Sequence, residues 1–309
     1  MNNVYKELPD NAFQPVGADR GSAEAIVRPS ISFWRDVARR LFKNKVAVAS
    51  LVCIVVILLL AMIIPELSPY RFDETNFSNL NASSSAEHWF GTDNLGRDIW
   101  TRVWVGARVS LFVGFFGAII PSLFGIVIGG ISGYFGGKLD MLIMRIIDIC
   151  MCIPQLIYVI LLMIYLGSGP SAIIIALAIT AWMGPARTVR GLVLSLKEQE
   201  FVLAARTLGA SPARLIFVHL IPNTLGIVIV GMTMMVPAAI FAEATLSFIG
   251  LGVKAPMTSW GQLANAGVQV YRLFPSQMFI PALFICITVL SFNLFGDGLR
   301  DALDPRLRD

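Results

Sequence analysis

The chain has 309 residues, 56% of them hydrophobic and 14% charged, with a mean hydropathy of +0.73. That balance excludes a soluble globular domain and marks an integral membrane protein. A net charge of +4 and a pI near 9.0 could suit nucleic acid, but the basic residues are dispersed between apolar runs rather than gathered in one stripe. Orientation in a bilayer explains them better, and no nucleic-acid partner is expected.

In chain order, residues 1–45 read as a cytoplasmic tail ending in a basic juxtamembrane segment, with no signature in the first 30 residues, which are expected to be flexible or to lie on the surface. Residues 46–64, "VAVASLVCIVVILLLAMII", are an apolar run of 19, enough at about 1.5 Å per residue to nearly cross a core of roughly 30 Å. The polar leader and the lack of a small-residue cleavage site argue against a cleaved signal peptide. Residues 65–104 read as an extracytoplasmic segment. Five further spans are placed at 105–133, 143–166, 170–186, 223–250 and 278–297, making a core of 105–297 with a polar loop at 187–222, and 298–309 form a second cytoplasmic tail. The expected class is an all-α membrane protein with six transmembrane helices. With the N-terminus inside, 18 of the 24 Lys/Arg fall on the cytoplasmic side, which predicts an N-in and C-in topology.

Several patterns along this chain invite a site. Cys53, Cys150, Cys152 and Cys286 lie in apolar runs without CxxC spacing, so packing is the reading for all four. "GTDNLGRD" lacks the alternating oxygen ligands and closing glutamate of a calcium loop and reads as a turn, shaped by local pairing of Asp93, Arg97 and Asp98. Gly117, Pro121, Gly125, Gly129, Gly133 and Gly137 recur every four residues, which predicts a smooth helix face for close packing, static or sliding, with a kink at Pro121. Asp148 can pair with Arg145 three residues earlier. Glu243 sits in an apolar span, where it either lines a polar path or bonds between helices. His88 and His219 are too far apart to suggest a metal site, and none is expected.

The polar loop carries the most specific pattern. "EFVLAARTLGASPARLIFVHLIPN", residues 200–223, reads as a helix with an apolar stripe (Phe201, Ala204, Ala205, Leu208), a stop at Gly209, an N-cap at Ser211, Pro212 at the first helical position, and a second short helix ending at Pro222. Ala204, Ala205 and Gly209 lie on adjacent turns and leave the backbone open to a partner surface. A plain interfacial hairpin joining two spans is the alternative.

The order Glu200, Ala204, Ala205, Gly209, Pro222 resembles the EAA loop of binding-protein-dependent ABC importer permeases, with two departures: His219 and Ile221 stand where isoleucine and leucine are usual. "HWFGTDNLGRDIWTRVWVGARVSL" (88–111), "EATLSFIGLG" (243–252) and the ending "FNLFGDGLRDALDPRLRD" (292–309) resemble the peptide-permease branch, the ending being close to that of oligopeptide permease C subunits. This resemblance implies a type I importer permease whose residues Glu200, Ala204, Ala205, Leu208, Gly209, Ala210, Ser211 and Pro212 dock a cytoplasmic ATPase. It also implies that the region of Gly91, Thr92, Asp93, Gly96, Arg97 and Asp98 helps receive an extracytoplasmic solute-binding protein. The implied assembly has a second, homologous permease and two ATPase subunits that hold ATP and Mg2+, with no cofactor on this chain and a peptide as substrate, though dipeptide, nickel and other solute carriers share the architecture. The chain has no GxxxxGK[ST] phosphate loop, HExxH or GxSxG, so a transport subunit is expected rather than an enzyme. Clear paired inverted repeats, expected of an ion-coupled carrier, are missing.

Overall fold

The computed structural model describes residues 33–304; the expectations placed on the first 30 residues and on the last few of the C-terminal tail fall outside them. Every named element is helical. Helix α1 (Phe33–Lys43) is a short amphipathic helix inside the segment expected to be a tail. One residue separates it from α2 (Lys45–Leu67), where Asn44 Oδ1 accepts from the Val46 and Ala47 amides at 3.1 and 3.2 Å and so starts the first spanning helix. On α2, Val52, Val55, Leu59 and Ile63 are exposed, while Ile54, Ile57 and Ala61 are buried. The apolar face left outward has lipid as its natural solvent.

Helix α3 (Ile99–Phe135) is the central post, 37 residues or about 55 Å long, so its ends project beyond a hydrocarbon core of about 30 Å. It continues unbroken through Pro121 to Gly136, whose positive φ of 64° stops it. Its small residues let other helices approach: a Cβ on Gly125 would lie 2.8 Å from the Ala186 amide, and one on Gly133 2.9 Å from the Arg190 carbonyl. The glycine row ends there, because Gly137 already begins the next helix at φ 57° with open space around it.

The stretch expected as one span at 143–166 is instead two helices, α4 (Gly137–Met151) and α5 (Gln155–Leu166), bent by 86°. Pro154 explains the break: it lacks an amide donor and pushes Ile153 away from helical geometry, an effect that apolar content hides. Helices α6 (Pro170–Thr180) and α7 (Met183–Leu196) follow as one candidate span of 27 residues, longer than the expected 170–186. In place of an Arg145 pair, Asp148 takes Arg187 of α7 as its partner. Nearby Asp140 binds Arg190 through both oxygens, at 2.5 and 2.6 Å, and fastens α4 to α7.

The polar loop contains α8 (Glu200–Thr207) and the short α9 (Pro212–Arg214). The second helix of the loop does not stop at Pro222. It passes through a π-helical turn, Leu215–Leu220, into α10 (Ile221–Phe248), giving one helical run of 37 residues. A proline inside an α-helix clashes with the carbonyl four residues back; the wider π turn, with the Ile221 amide on the Ile216 carbonyl, absorbs that conflict just before Pro222. Helix α11 (Trp260–Val270) and helix α12 (Ser276–Leu303) complete the bundle. Among the described residues, five helical runs are long and apolar enough to cross a membrane, and six if the bent α4–α5 pair is one span.

Candidate functional site

The turn between α8 and α9 is built by caps. Leu208 closes α8, the Ala210 amide reaches back to the Ala205 carbonyl at 3.1 Å, and Gly209 takes φ 84°, a glycine-ended helix stop. Ser211 Oγ then accepts from the Arg214 amide at 3.3 Å, and Pro212 opens the next helix. Behind the turn, Val202, Leu215, Ile216 and Leu220 join Val189 and Val193 of α7 in a buried cluster, with Ala205 and Ala210 half-buried against it. Two basic residues tie this module to the end of α3: Lys197 Nζ donates to the Gly133 carbonyl at 3.1 Å, and Arg206 lies 5.9 Å from the Tyr134 ring centre.

The other face is open. Glu200, Ala204, Gly209, Ser211 and Pro212 are exposed, Phe201 is 42% exposed, and Leu208 is 88% exposed. A hollow of ≈ 540 Å³ runs beside Leu208, Gly209, Ser211, Arg214 and His219. The apolar stripe read from the sequence is therefore divided: Ala205 packs inward, whereas Phe201, Ala204 and Leu208 look away from the bundle. Van der Waals surface this apolar at the tip of a polar loop is characteristic of a contact face.

The second set of sequence-selected residues behaves oppositely. Gly91, Thr92, Asp93, Gly96, Arg97 and Asp98 are all buried. Asp93 accepts from the amides of Leu95 (2.9 Å) and Arg97 (3.0 Å) and from Arg97 Nε at 2.7 Å, with Arg102 Nε at 3.6 Å. Asp98 caps α3 through the Thr101 amide and hydroxyl, at 2.8 and 2.7 Å, and holds His88 Nδ1 at 2.9 Å. His88 is thus a packing partner of Asp98. Gln277 of α12 bonds both Asn81 and the Thr92 carbonyl, at 3.0 and 3.1 Å, which pins the whole segment onto the bundle.

Glu243 is fully buried on α10. Its oxygens accept from Ser110 Oγ of α3 at 2.9 Å and from Ser247 Oγ at 2.7 Å, while Ser110 Oγ also accepts from the Trp260 amide of α11 at 3.2 Å. The carboxylate is therefore the centre of a knot among three helices. The glycines Gly125, Gly129 and Gly133 face α7; a Cβ on Gly129 would press on the Ala186 carbonyl and lie 3.0 Å from the Arg190 amide. Sequence reading overlooked Ser110, Ser247 and Trp260; Ser247, one helical turn after the lone acid, carried a signal, whereas Ser110 and Trp260 are brought there by tertiary packing alone.

A bundle of spanning helices with an exposed helix–turn–helix at one end is the arrangement of a membrane transport subunit. Comparison with known proteins agrees: residues 125–309 match the model of the binding-protein-dependent transport system inner membrane component, and residues 32–83 match the N-terminal TM domain of oligopeptide transport permease C. The chain belongs to this family of ABC importer permeases, whose place is the inner membrane. It is 50% identical over 303 residues to the oligopeptide transport system permease protein OppC of Bacillus subtilis, covering 98% of this chain and 99% of that one. It is also 48% identical to the dipeptide transport system permease protein DppC of the same organism, over 98% and 95% of the two chains. OppC of Escherichia coli is 41% identical over 90% of this chain and 92% of its own length. The fold resembles that of a chain of the MetNI methionine ABC transporter solved in inward-facing conformations, with a TM-score of 0.50 at 21% identity, covering 67% of this chain and 97% of that one. The architecture is that of a type I importer permease.

Proposed function

We propose that this permease carries peptides and forms half of their path, with the turn at 207–212 docking a separate ATPase subunit that holds ATP and Mg2+. The observation that carries the coupling role is the exposed apolar tip, Leu208 above Gly209, on a turn whose back is packed into the bundle. That turn runs without interruption into α10, so a displacement imposed on it moves a 37-residue helical run and, through Glu243 and Ser110, the central post α3. ATP binding would draw two such docked turns together and switch the access of the path. No catalytic role is assigned to this chain.

The 18 of 24 basic residues on the α8 side of the topology support N-in and C-in. The pinned segment at 91–98 then lies on the outer face, where its surroundings receive a solute-binding protein. A groove of ≈ 590 Å³ along α5, α6 and α10, with Gln155, Tyr158, Thr180 and Thr245 among apolar walls, supplies this chain's half of the path, to be completed by a second, homologous permease. Peptide as cargo follows from the relatives, two of which are named for oligopeptides and dipeptides at nearly equal identity, so peptide length is set by the experiment.

The test is uptake of labelled di-, tri- and pentapeptides by the reconstituted complex, with ATP hydrolysis measured alongside. Peptide-stimulated hydrolysis that drives uptake supports the reading; uptake that needs an ion gradient, or a new ion requirement in Glu243→Gln, overturns it. For topology, single cysteines at Asn81 and Ser211 in a background free of the four native cysteines should be labelled from outside at the first position only. Labelling of Ser211 in sealed cells would reverse the map.

A further inference from the structure

The polar segment 187–222 carries five basic side chains, and four of them are used inside the chain. Arg187 pairs with Asp148 and Arg190 with Asp140, Lys197 Nζ donates to the Gly133 carbonyl, and Arg206 stands over the Tyr134 ring. Arg214 is the exception. Its amide donates to Ser211 Oγ, but its guanidinium is exposed and has no hydrogen bond, ion pair or ring contact among the described residues. Most exposed arginines are simply solvated; the position of this one sets it apart. It lines the hollow of ≈ 540 Å³ beside the turn, together with Leu208, Gly209, Ser211 and His219, and the small side chains of Ala205 and Ala210 complete the lining. The His219 ring is likewise without a partner among the described residues. No carboxylate lines the hollow. The two acids of the segment, Glu198 and Glu200, lie elsewhere, Glu198 in a separate hollow beside Tyr134.

We propose that Arg214 anchors the docking turn electrostatically, and that the ATPase subunit places a carboxylate side chain in this hollow, held by the Arg214 guanidinium next to His219. The inference rests on the reading of the turn as the ATPase contact and adds the chemistry of the partner's face: apolar against Leu208, acidic opposite Arg214. Leu208 and Arg214 line one hollow, so a partner that covers the leucine covers the arginine as well. A guanidinium taken out of water without a counter-charge would oppose binding, and this chain offers no acid at the hollow, so the partner has to bring one. An apolar tip attracts without direction. A guanidinium beside it, with its planar fork matched to a carboxylate, fixes the orientation in which the turn seats.

The experiment titrates the purified permease pair in detergent with its ATPase subunit, at about 50 and about 500 mM salt. Wild-type affinity should fall as salt rises. Arg214→Gln should bind about 10-fold more weakly at low salt and nearly as the wild type does at high salt, so that the salt dependence flattens. Arg214→Lys keeps the charge and should keep most of that dependence, whereas Leu208→Ser should weaken binding by a similar factor at both salt concentrations. The melting temperature of the permease alone should be unmoved by Arg214→Gln, because the guanidinium has no internal partner to lose. Arg214→Glu should bind worst of all, and a scan of single acid-to-lysine changes in the ATPase should find one that restores it. Wild-type binding that ignores salt, Arg214→Gln with wild-type affinity and salt dependence, or a scan in which no change restores Arg214→Glu overturns the anchor. A loss in Leu208→Ser alongside any of these would leave the docking turn standing without its anchor; wild-type binding by both variants would remove both. A glutamine defect seen only in vesicles containing phosphatidylglycerol, and not in detergent, would assign Arg214 to a lipid headgroup and overturn the proposal as well.

Discussion

The turns at 91–98 and 207–212 are made from the same backbone parts. In each, a glycine at positive φ precedes by two positions the residue that caps the next helix: Gly96 (73°) ahead of Asp98, and Gly209 (84°) ahead of Ser211. Their surroundings are opposite. A Cβ on Gly96 would lie 2.6 Å from the Asn76 carbonyl carbon, whereas one on Gly209 would meet nothing within 4 Å. Asp98 and Asp93 are consumed by internal partners, while Ser211 makes its single cap bond and is otherwise open. Turn chemistry specifies where a chain reverses; burial decides whether the reversal is a brace or a contact face. The first turn braces α3 against α12, and the second is available to another protein.

That contrast can be broken most sharply at Asp93. Its carboxylate neutralises Arg97 and Arg102, both almost fully buried, and serves three hydrogen bonds. Asp93→Ala leaves buried cations without a counter-charge, a loss of about 3–5 kcal/mol. Recovery of the inserted permease from membranes and its thermal denaturation in detergent should both fall. A variant with wild-type melting behaviour would mean the 91–98 turn is not a brace.

Next in size is a pair of glycines. Gly129→Leu places a side chain where α7 backbone already lies, and overpacking of this kind costs typically 1–3 kcal/mol or more. Melting temperature and assembly with the second permease should drop; unchanged values would put that helix face toward lipid. Gly209→Val adds bulk to empty space, so only backbone strain of about 1–3 kcal/mol is expected in the isolated permease. If the turn docks an ATPase as proposed, the added bulk would stand between the two, and hydrolysis should be uncoupled from uptake in the complex. Gly209→Ala should be milder on both measures.

How much of this was legible follows from the same distinction. Backbone features were open to reading wherever one residue imposes them: the stop at Gly209, the cap at Ser211, the run of apolar residues that becomes α2. Contacts set by tertiary packing were not. Asp148 has Arg145 on its own helix, yet Arg187 of α7 takes it, and the hydropathy of 143–166 conceals the bend that Pro154 imposes. The continuity of the loop with α10 was hidden for the reverse reason: Pro222 looks like a stop, and only the π turn ahead of it lets the helix pass. Helix α1 was discernible from its apolar positions at 33, 34, 37, 38, 41 and 42, a stripe too short to stand out beside the spans.

The smallest effect on the permease itself, and the one most informative about the open turn, is expected at Leu208. This side chain closes α8 as its C-cap residue, but the cap bond is made by its backbone amide to the Ala204 carbonyl at 3.1 Å, so the side chain is free to change. At 88% exposure it contributes little to the fold, and Leu208→Ser should alter stability by no more than about 0.5 kcal/mol. Within an assembly the same side chain would be covered, and removing it takes away one of the few large apolar groups on the contact face. The expected result is an unshifted melting temperature, normal insertion and normal pairing of the two permeases, together with weaker retention of the ATPase during purification and a lower ratio of peptide moved to ATP hydrolysed. Phe201→Ser, at a side chain about half as exposed, should lie between Leu208→Ser and the wild type. A Leu208 variant that binds the ATPase and couples as well as the wild type would make the tip an ordinary connector, and the distinction drawn between the two turns would then lie in burial alone and carry no functional meaning.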